Sequence, residues 1–381
     1  MVRLAGAIRR RALETTGVTL LACGWLRCAE QLPSRIVPPC SGTTSSIELL
    51  DLSAGQDAQT AERHYQRALE LEAAGNVLRA EEELKAAHAE RPKEDRYIRA
   101  LTMFYIEGGR YGEATQVIRG YVRHCGTTAL GYELEGELLF KQRLYDAALQ
   151  AVRRSLELSD KNARMHEVLA LLCVIKRQDS AAVPELRRAA ELSPNQPQIR
   201  YWYGRVLYST GRYSEARDQF LACLKIHPGY PKASENLGLC YEALGQNQRS
   251  ARAYEEGIAL EEKSPRPRRG EPYAFYGALL AKLDQPQKAL PILRQGVAAS
   301  PQSFVVNYEL GRVLLRLGSF QEAERALLQA AKLAPEFPRT YYLLGELCQK
   351  QNRPAEAQQY WTLFRKLNKE APNGGFPVTD R

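Results

Sequence analysis

The side chains of this sequence that could do chemistry are scattered along the chain. The five histidines are far apart, and none lies four residues from another with a carboxylate between them, as a zinc hydrolase would need. There is no Gly-x-Ser-x-Gly nucleophile motif, no glycine-rich phosphate loop before Lys and Ser or Thr, and no dinucleotide-binding fingerprint. We therefore predict a protein that is not an enzyme, with no catalytic residue, cofactor or metal site.

The eight cysteines do not form a metal or redox motif, because no Cys-x-x-Cys pair occurs. Cys173 and Cys348 recur at the same core-facing place of an apolar pattern, and Cys240 lies one residue before that place, which is typical of buried small hydrophobic residues. Cys223 and Cys240 belong to adjoining predicted helices and could be joined by a disulfide in an exported protein, a question that the sequence leaves open.

The elements that carry these residues form a repeat with a period of 34 residues. Nine units begin at residues 61, 95, 129, 163, 197, 231, 270, 304 and 338, with an insertion at 265–269. The eighth residue of a unit is Gly in six units and Ala in two, and the twentieth is Ala or Ser in all nine. Small residues at two fixed places allow two helix backbones to approach closely.

This pattern resembles the tetratricopeptide repeat, with large apolar residues at the seventh and eleventh positions, such as Leu237 and Tyr241. A helix-ending Pro recurs at the thirty-second position, for example as Pro335. The resemblance covers residues 61–371. It implies an all-α fold, a right-handed superhelical solenoid of antiparallel helix pairs in which neighbouring units share a continuous core.

Units three and four depart from the pattern. Most units carry Gly between their two helices, where a left-handed residue ends the first helix at little cost, but these two have Arg143 and Arg177 there. Pro184 also falls within the first turns of the second helix of unit four. We expect this proline to bend the helix rather than abolish it.

The resemblance also implies where a ligand would bind. In this family the second, fifth, ninth and twelfth residues of each first helix face an inner groove, and some members grip the C-terminal carboxylate of chaperones with Lys at the fifth and Asn at the ninth place. No unit of this chain has that pair. These places instead hold an aromatic and cationic strip, formed by Tyr201, Arg205, Tyr208, Tyr308, Arg312 and Tyr342.

Arg and Tyr are enriched where proteins bind one another, and they can stack on side chains and pair with carboxylates. The strip therefore predicts a protein or peptide partner, an extended acidic or aromatic segment, and no small-molecule substrate. The alternative is that these are ordinary amphipathic residues on a wet surface.

The N-terminus is typical of a targeting signal. Basic residues ending at Arg11 precede a short apolar run, and the run Leu20-Leu21-Ala22-Cys23-Gly24 resembles the lipobox of bacterial lipoproteins, whose Cys becomes acylated. Residues 1–24 thus predict a signal peptide with Cys23 as a lipidation site, residues 25–60 a flexible linker, and residues 372–381 a disordered tail. This favours a periplasmic or membrane-anchored lipoprotein, with a cytoplasmic protein as the alternative.

The net charge of +9 is concentrated in two places. Residues 1–30 and the loop around 263–269 carry most of it, which leaves a nearly neutral body. We predict a non-catalytic protein-interaction scaffold or adaptor. The alternatives are an envelope-assembly lipoprotein anchored through Cys23, a binder of nucleic acid or anionic surfaces through Arg266, Arg268 and Arg269, and a regulatory subunit of an enzyme on another chain.

Overall fold

The computed structural model describes residues 47–264 and 268–370. In these ranges the chain forms eighteen α-helices and no strand, so the predicted all-α class is confirmed. The helices in chain order are α1 (Ile47–Ala73), α2 (Val77–Glu90), α3 (Asp95–Glu107), α4 (Tyr111–Cys125), α5 (Ala129–Lys141), α6 (Tyr145–Leu158), α7 (Ala163–Ile175), α8 (Asp179–Leu192), α9 (Pro197–Ser209), α10 (Tyr213–Ile226), α11 (Pro231–Ala243), α12 (Asn247–Lys263), α13 (Glu271–Lys282), α14 (Pro286–Ala299), α15 (Phe304–Arg316), α16 (Phe320–Leu333), α17 (Pro338–Lys350) and α18 (Pro354–Glu370).

The start of α1 differs from the prediction. Residues 47–60, expected to belong to a flexible linker, are helical and continue into the first repeat. The segment 54–62 consists largely of Ala, Gln and Glu, which favour helix, and it holds no Pro to stop the helix. The predicted signal segment with Cys23 and the predicted tail lie outside the described residues. None of the helices among the described residues combines the length and the hydropathy that a membrane-spanning segment needs.

The helices fall into two compact units. The N-terminal unit ends at Pro194 and contains α1 to α8, and the C-terminal unit begins at Asn195 and contains α9 to α18. In each unit consecutive helices pack as pairs, and the first helix of most pairs also contacts the first helix of the next. Each unit has its own hydrophobic cluster, one within residues 61–138 and the other within residues 273–357. A helix pair thus buries its apolar surface mainly against its neighbours.

In the six repeats whose eighth residue is Gly, this residue lies against a larger apolar residue of the second helix. A Cβ atom added to Gly238 would lie 2.5 Å from Cε1 of Tyr254, and one added to Gly204 would lie 2.8 Å from Cε1 of Phe220. Both distances are shorter than carbon atoms tolerate, and both rings are fully buried. The glycines are therefore required by the aromatic side chains that fill the space between the paired helices.

The turn between the paired helices uses a left-handed residue in all nine repeats. Five of these residues are glycines with φ between 70° and 81°. In the other four repeats Arg143, Arg177, Asp284 and Asn352 adopt φ values of 59° to 62°. The turn geometry is thus kept even where the sequence lacks Gly, although a left-handed conformation costs a non-glycine residue about 1–2 kcal/mol.

Pro184 is accommodated inside a continuous helix. It is the sixth residue of α8, which runs on to Leu192. As the sixth residue it removes the one hydrogen bond that a backbone N–H would donate to the carbonyl of Ser180, because proline has no N–H group, and the rest of the helix is kept.

Candidate functional site

The structure places three of the six predicted groove residues in the core. Tyr201, Tyr208 and Tyr308 are 5%, 3% and 2% exposed, whereas Tyr342 is 41% exposed. Arg205 and Arg312 are half-buried. The three buried tyrosines offer a ligand little surface, so the surface that remains comes mainly from the arginines, Tyr342 and their neighbours.

Aromatic residues from the end of the same repeat cover two of the buried tyrosines. The ring centroid of Tyr201 lies 5.2 Å from that of Tyr230, and the ring of Tyr308 lies 5.5 Å from that of Phe337. Tyr230 and Phe337 are both thirty-fourth residues of their repeats. The burial of these two tyrosines could have been predicted from the sequence. Only the repeats that begin at 197 and 304 combine Tyr at the fifth place with an aromatic residue at the thirty-fourth.

Arg205 lies over aromatic rings on its own helix, α9. Its Cζ atom is 5.1 Å from the ring centroid of Trp202 and 5.8 Å from that of Tyr201. Trp202, half-buried, was not among the predicted residues. Burial and the charges of Arg269 and Arg205 lower the pKa of Lys232 to about 8, against the opposing effect of Glu235. This part of the C-terminal unit therefore carries several cationic groups close together.

A small pocket of about 240 Å³ lies among the first helices of the last three repeats. Arg312 and Arg316 line it from α15, Glu346 and Lys350 from α17, and Ala281 from α13. Val313, Leu315 and Leu343 supply its apolar wall. Arg312 thus lies together with cationic groups that the sequence reasoning missed, and Glu346 is the one carboxylate among the lining residues.

The cations of this pocket are held in place by neighbouring acceptors. Nε of Arg312 donates to Oε2 of Glu309 at 2.8 Å, and Glu309 raises the pKa of Arg312 while burial opposes the shift. Arg316 donates to the backbone oxygen of Ala281 at 2.6 Å and pairs with Asp284. Nζ of Lys350 is 3.5 Å from Oε1 of Glu346. The guanidinium groups are therefore positioned before any ligand arrives.

A periodic signal for these cations was present in the sequence. Lys282, Arg316 and Lys350 occupy the thirteenth place of the last three repeats, at the end of the first helix. Cations are favoured at a helix C-terminus because the partial negative charge of the helix dipole is located there. A search confined to the second, fifth, ninth and twelfth places could not find them.

The inner positions of the N-terminal unit hold a different arrangement. Arg164 donates from Nε and Nη2 to the two carboxylate oxygens of Glu137, at 2.6 and 3.1 Å, and from Nη1 to Oε2 of Glu167 at 2.9 Å. Arg99 pairs with Glu133 in the neighbouring repeats. The three carboxylates are at most 5% exposed. These positions form a buried ion-pair network instead of an aromatic strip.

The basic loop before α13 is partly neutralised. Nη1 of Arg269 lies 3.0 Å from Oε2 of Glu235, and Nε of Arg269 donates to Oε1 of Glu261 at 2.6 Å. Arg268 is exposed, while Arg266 lies outside the described residues. Arg269 therefore joins the loop to α11 and α12, and the two carboxylates leave the loop less cationic than the sequence suggests.

The described cysteines and acidic residues show no metal-binding arrangement. No group of three or more His, Cys, Asp or Glu side chains suited to a metal ion occurs within 58–264 and 268–369. Cys223 and Cys240 are fully buried thiols, and burial raises the pKa of Cys223 to about 12. A thiol with so high a pKa is almost entirely protonated at neutral pH and is therefore a poor nucleophile.

The chain belongs to the tetratricopeptide repeat family. Models of this repeat match residues 133–197, 177–231 and 204–265, residues 280–339 and residues 338–359. Together with eighteen helices in consecutive pairs, these matches confirm the resemblance.

Relatives among characterised proteins match only parts of this chain. It is 28% identical over 194 residues to the mouse (Mus musculus) interferon-induced protein with tetratricopeptide repeats 3, which covers 46% of this chain and 48% of that protein. It is 25% identical over 116 residues to the type IV pilus assembly protein PilF of Pseudomonas aeruginosa, covering 30% of this chain and 46% of the relative. The chain thus spans about half or less of the relatives that it matches.

Among solved structures, the hetero-tetramer Cut9–Hcn1 of the anaphase-promoting complex superimposes with a TM-score of 0.55 at 15% identity, over 71% of this chain and 52% of that chain. At this identity the likeness concerns the fold alone. The fold and the family support a protein-interaction scaffold at the general level, and the relatives are consistent with a non-catalytic role.

Proposed function

We propose that this protein is a non-catalytic scaffold whose C-terminal unit holds an acidic segment of a partner protein at the pocket lined by Arg312, Arg316 and Lys350. The observation that carries the proposal is the grouping of three cationic side chains from two neighbouring helices around about 240 Å³ of space. Arginine pairs carboxylates through two parallel hydrogen bonds, and an apolar wall strengthens such pairs by excluding water.

The shape of the pocket supports a short acidic feature within a longer segment. A volume of about 240 Å³ is below the 300–1,000 Å³ typical of sites for whole small molecules. It suits one carboxylate-bearing side chain or a chain terminus. The exposed ring of Tyr342, 5.5 Å from the ring of Phe364, lies on the same helix as Lys350 and offers an aromatic surface for the residues that follow.

Binding of a labelled peptide to the full chain tests this proposal. The probe is a fluorescein-labelled ten-residue peptide of alternating Glu and Tyr, and its counterparts carry Gln or Lys in place of Glu. We expect the combined variant Arg312→Ala, Arg316→Ala and Lys350→Ala to bind the acidic probe at least about tenfold more weakly, because a charged hydrogen bond contributes about 1.5–3 kcal/mol.

The matched control removes the same number of charges elsewhere in the C-terminal unit, as Arg249→Ala, Arg325→Ala and Lys332→Ala, all at exposed positions. It should bind within about twofold of the wild type at 150 mM salt. Equal loss in both variants would mean that the peptide responds to overall charge, and the pocket would then not be the site. Circular dichroism of each variant confirms that it remains helical.

We further propose that the scaffold works at an envelope membrane, anchored through Cys23. The support is the run Leu20 to Gly24, which fits a lipoprotein signal, while the pilus assembly relative is a bacterial protein. Metabolic labelling with an alkyne fatty acid should mark the wild-type chain and spare Cys23→Ser. Equal labelling of both chains, or none in either, would rule the anchor out.

A further inference from the structure

A cleft on the N-terminal unit lies outside the predicted groove. It has a volume of about 810 Å³ and lies between α4 and α5, the second helix of one repeat and the first helix of the next. Its residues from α5, Gly131, Tyr132 and Glu135, are third, fourth and seventh in their repeat. Because the inner groove uses the second, fifth, ninth and twelfth residues, this cleft is a separate surface.

The floor of the cleft is apolar. Ile118 and Val122 line it from α4, and Gly131 faces them from α5. A Cβ atom added to Gly131 would lie 3.4 Å from Cγ2 of Val122, so any larger side chain there would extend into the space. The absence of a side chain at Gly131 is thus part of what keeps the floor open.

The rim on α4 is cationic. Arg119 and Arg123 are exposed, lie one helical turn apart, and both line the cleft. Nε of Arg123 donates only to the backbone oxygen of Arg119, at 3.4 Å, and neither side chain has a carboxylate partner among the described residues. Two like charges at this spacing destabilise a helix, and a bound anion relieves the repulsion. Glu135 on the opposite rim leaves an excess of one positive charge.

We propose that this cleft binds an acidic segment of a partner protein. An apolar side chain of the segment packs on the floor beside Val122, and flanking carboxylates pair with Arg119 and Arg123. The charge of the rim selects acidic over basic segments, and the volume lies within the range of sites that enclose a ligand of several groups. The scaffold thereby has a docking surface on the N-terminal unit that does not depend on the pocket of the C-terminal unit.

Fluorescence anisotropy with a peptide of defined chemistry tests the cleft. The probe is a fluorescein-labelled twelve-residue peptide of repeating Glu, Glu and Leu, titrated with the full chain carrying Arg312→Ala, Arg316→Ala and Lys350→Ala. These three substitutions remove the cations of the pocket in the C-terminal unit, so the cleft is tested separately from the proposed function. We expect saturable binding, weakened at least about tenfold when Arg119→Ala and Arg123→Ala are added.

Two further variants separate the cleft from general charge. Thr127→Trp, at an exposed position in the loop that lines the cleft, should fill the space and also abolish binding without removing a charge. The control Arg79→Ala with Arg91→Ala removes two exposed arginines of the same unit that do not line the cleft, and it should bind within twofold of its parent.

Three results would overturn the proposal. The first is the absence of saturable binding. The second is an equal loss of affinity in the variant of Arg119 and Arg123 and in the control variant of Arg79 and Arg91. The third is equal affinity for a counterpart peptide with Gln in place of Glu. A benzophenone on the probe adds a direct readout, since ultraviolet cross-links should map to residues 116–135, and cross-links confined to other residues would place the peptide elsewhere.

Discussion

In the N-terminal unit several inner helix positions hold glutamates and arginines that pair with one another around Arg164, whereas in the last repeats of the C-terminal unit such positions hold tyrosines beside cations that line a pocket. Arg164 is bound by two carboxylates and is 10% exposed, while the side chain of Arg312 has one carboxylate partner and is 35% exposed. The same repeat geometry thus supports a closed ionic network in one unit and an accessible cationic surface in the other. The two arginines differ in the number of carboxylates that they contact, which is two for Arg164 and one for Arg312.

The largest expected effect comes from breaking the closed network. Arg164→Ala leaves Glu137 and Glu167 buried without their partner, and removal of one member of a buried ion pair costs about 3–5 kcal/mol. Arg312→Ala should cost less, about 1–3 kcal/mol, because it leaves one buried carboxylate, that of Glu309, without its partner instead of two. Urea unfolding followed by circular dichroism gives the two losses. Faster hydrogen exchange at the amides of α5 and α7 would show that the loss caused by Arg164→Ala lies in the N-terminal unit. Equal losses would contradict the distinction between the two inner faces.

A second contrast lies between the paired helices. In all five C-terminal pairs the eighth residue is Gly, opposite Phe220, Tyr254, Leu293, Leu327 and Trp361. We expect Gly238→Ala to destabilise the chain by about 1–3 kcal/mol, the scale of overpacking. Ala170 is the corresponding residue of an N-terminal pair, and Ala170→Gly should cost only about 0.5–1 kcal/mol, from helix propensity. Thermal unfolding of the two variants compares them, and a neutral Gly238→Ala would show that Tyr254 can move aside.

A third and smaller effect concerns the turns. Arg143→Gly and Arg177→Gly relieve a left-handed backbone conformation and should each stabilise the N-terminal unit by about 1 kcal/mol. Asp284→Gly and Asn352→Gly in the C-terminal unit should gain less, because Asp and Asn tolerate this region better than Arg. The denaturant midpoints of the four variants measure the gain in stability from each replacement. The prediction fails if the Arg replacements raise the midpoint no more than the Asp and Asn replacements.

The smallest effect is a dependence on pH. Nδ1 of His166 lies 2.7 Å from Oε2 of Glu185, and although burial lowers the pKa of His166, this carboxylate raises it above 6.5 overall. A raised folded-state pKa contributes stability below the pKa of the unfolded chain, and that contribution is lost as the pH rises through the folded value. The stability difference between wild type and His166→Gln should therefore be larger at pH 5.5 than at pH 8. A difference that grows with pH would contradict this sign.

Much of the fold could be predicted because it depends on single positions in a repeating frame. The small eighth residue and the left-handed turn are local requirements, and Gly238 and Gly245 reveal them because the same kinds of residue recur at these places along the chain. The start of α1 was missed because the repeat pattern ends at residue 61, while helix propensity continues before it. The repeat pattern arises from residues that pack between helices, so it does not show how far a helix continues beyond the packed residues.

The candidate site was less predictable, because it depends on pairs of residues. The places of Tyr201 and Tyr308 in the frame are those of groove residues, yet the aromatic residues Tyr230 and Phe337 bury them. The ion pairs of Arg164 could not be predicted from the sequence, because their formation depends on which side-chain conformations bring residues of adjacent repeats together. The cleft between α4 and α5 depends on Gly131, whose missing side chain gives no apolar or charged signal in the sequence.

The fit between each eighth residue and the large side chain opposite it has a consequence for how such chains can be recombined. Gly345 accommodates Trp361, and Gly238 accommodates Tyr254, so each first helix is matched to its own second helix. A chimaera joined inside a repeat could set Thr102 against an indole ring, whereas one joined between repeats would keep every match intact. The unit that can be exchanged without disturbing this packing is thus the helix pair. We expect the core to tolerate insertion or deletion of whole repeats better than a junction inside a repeat.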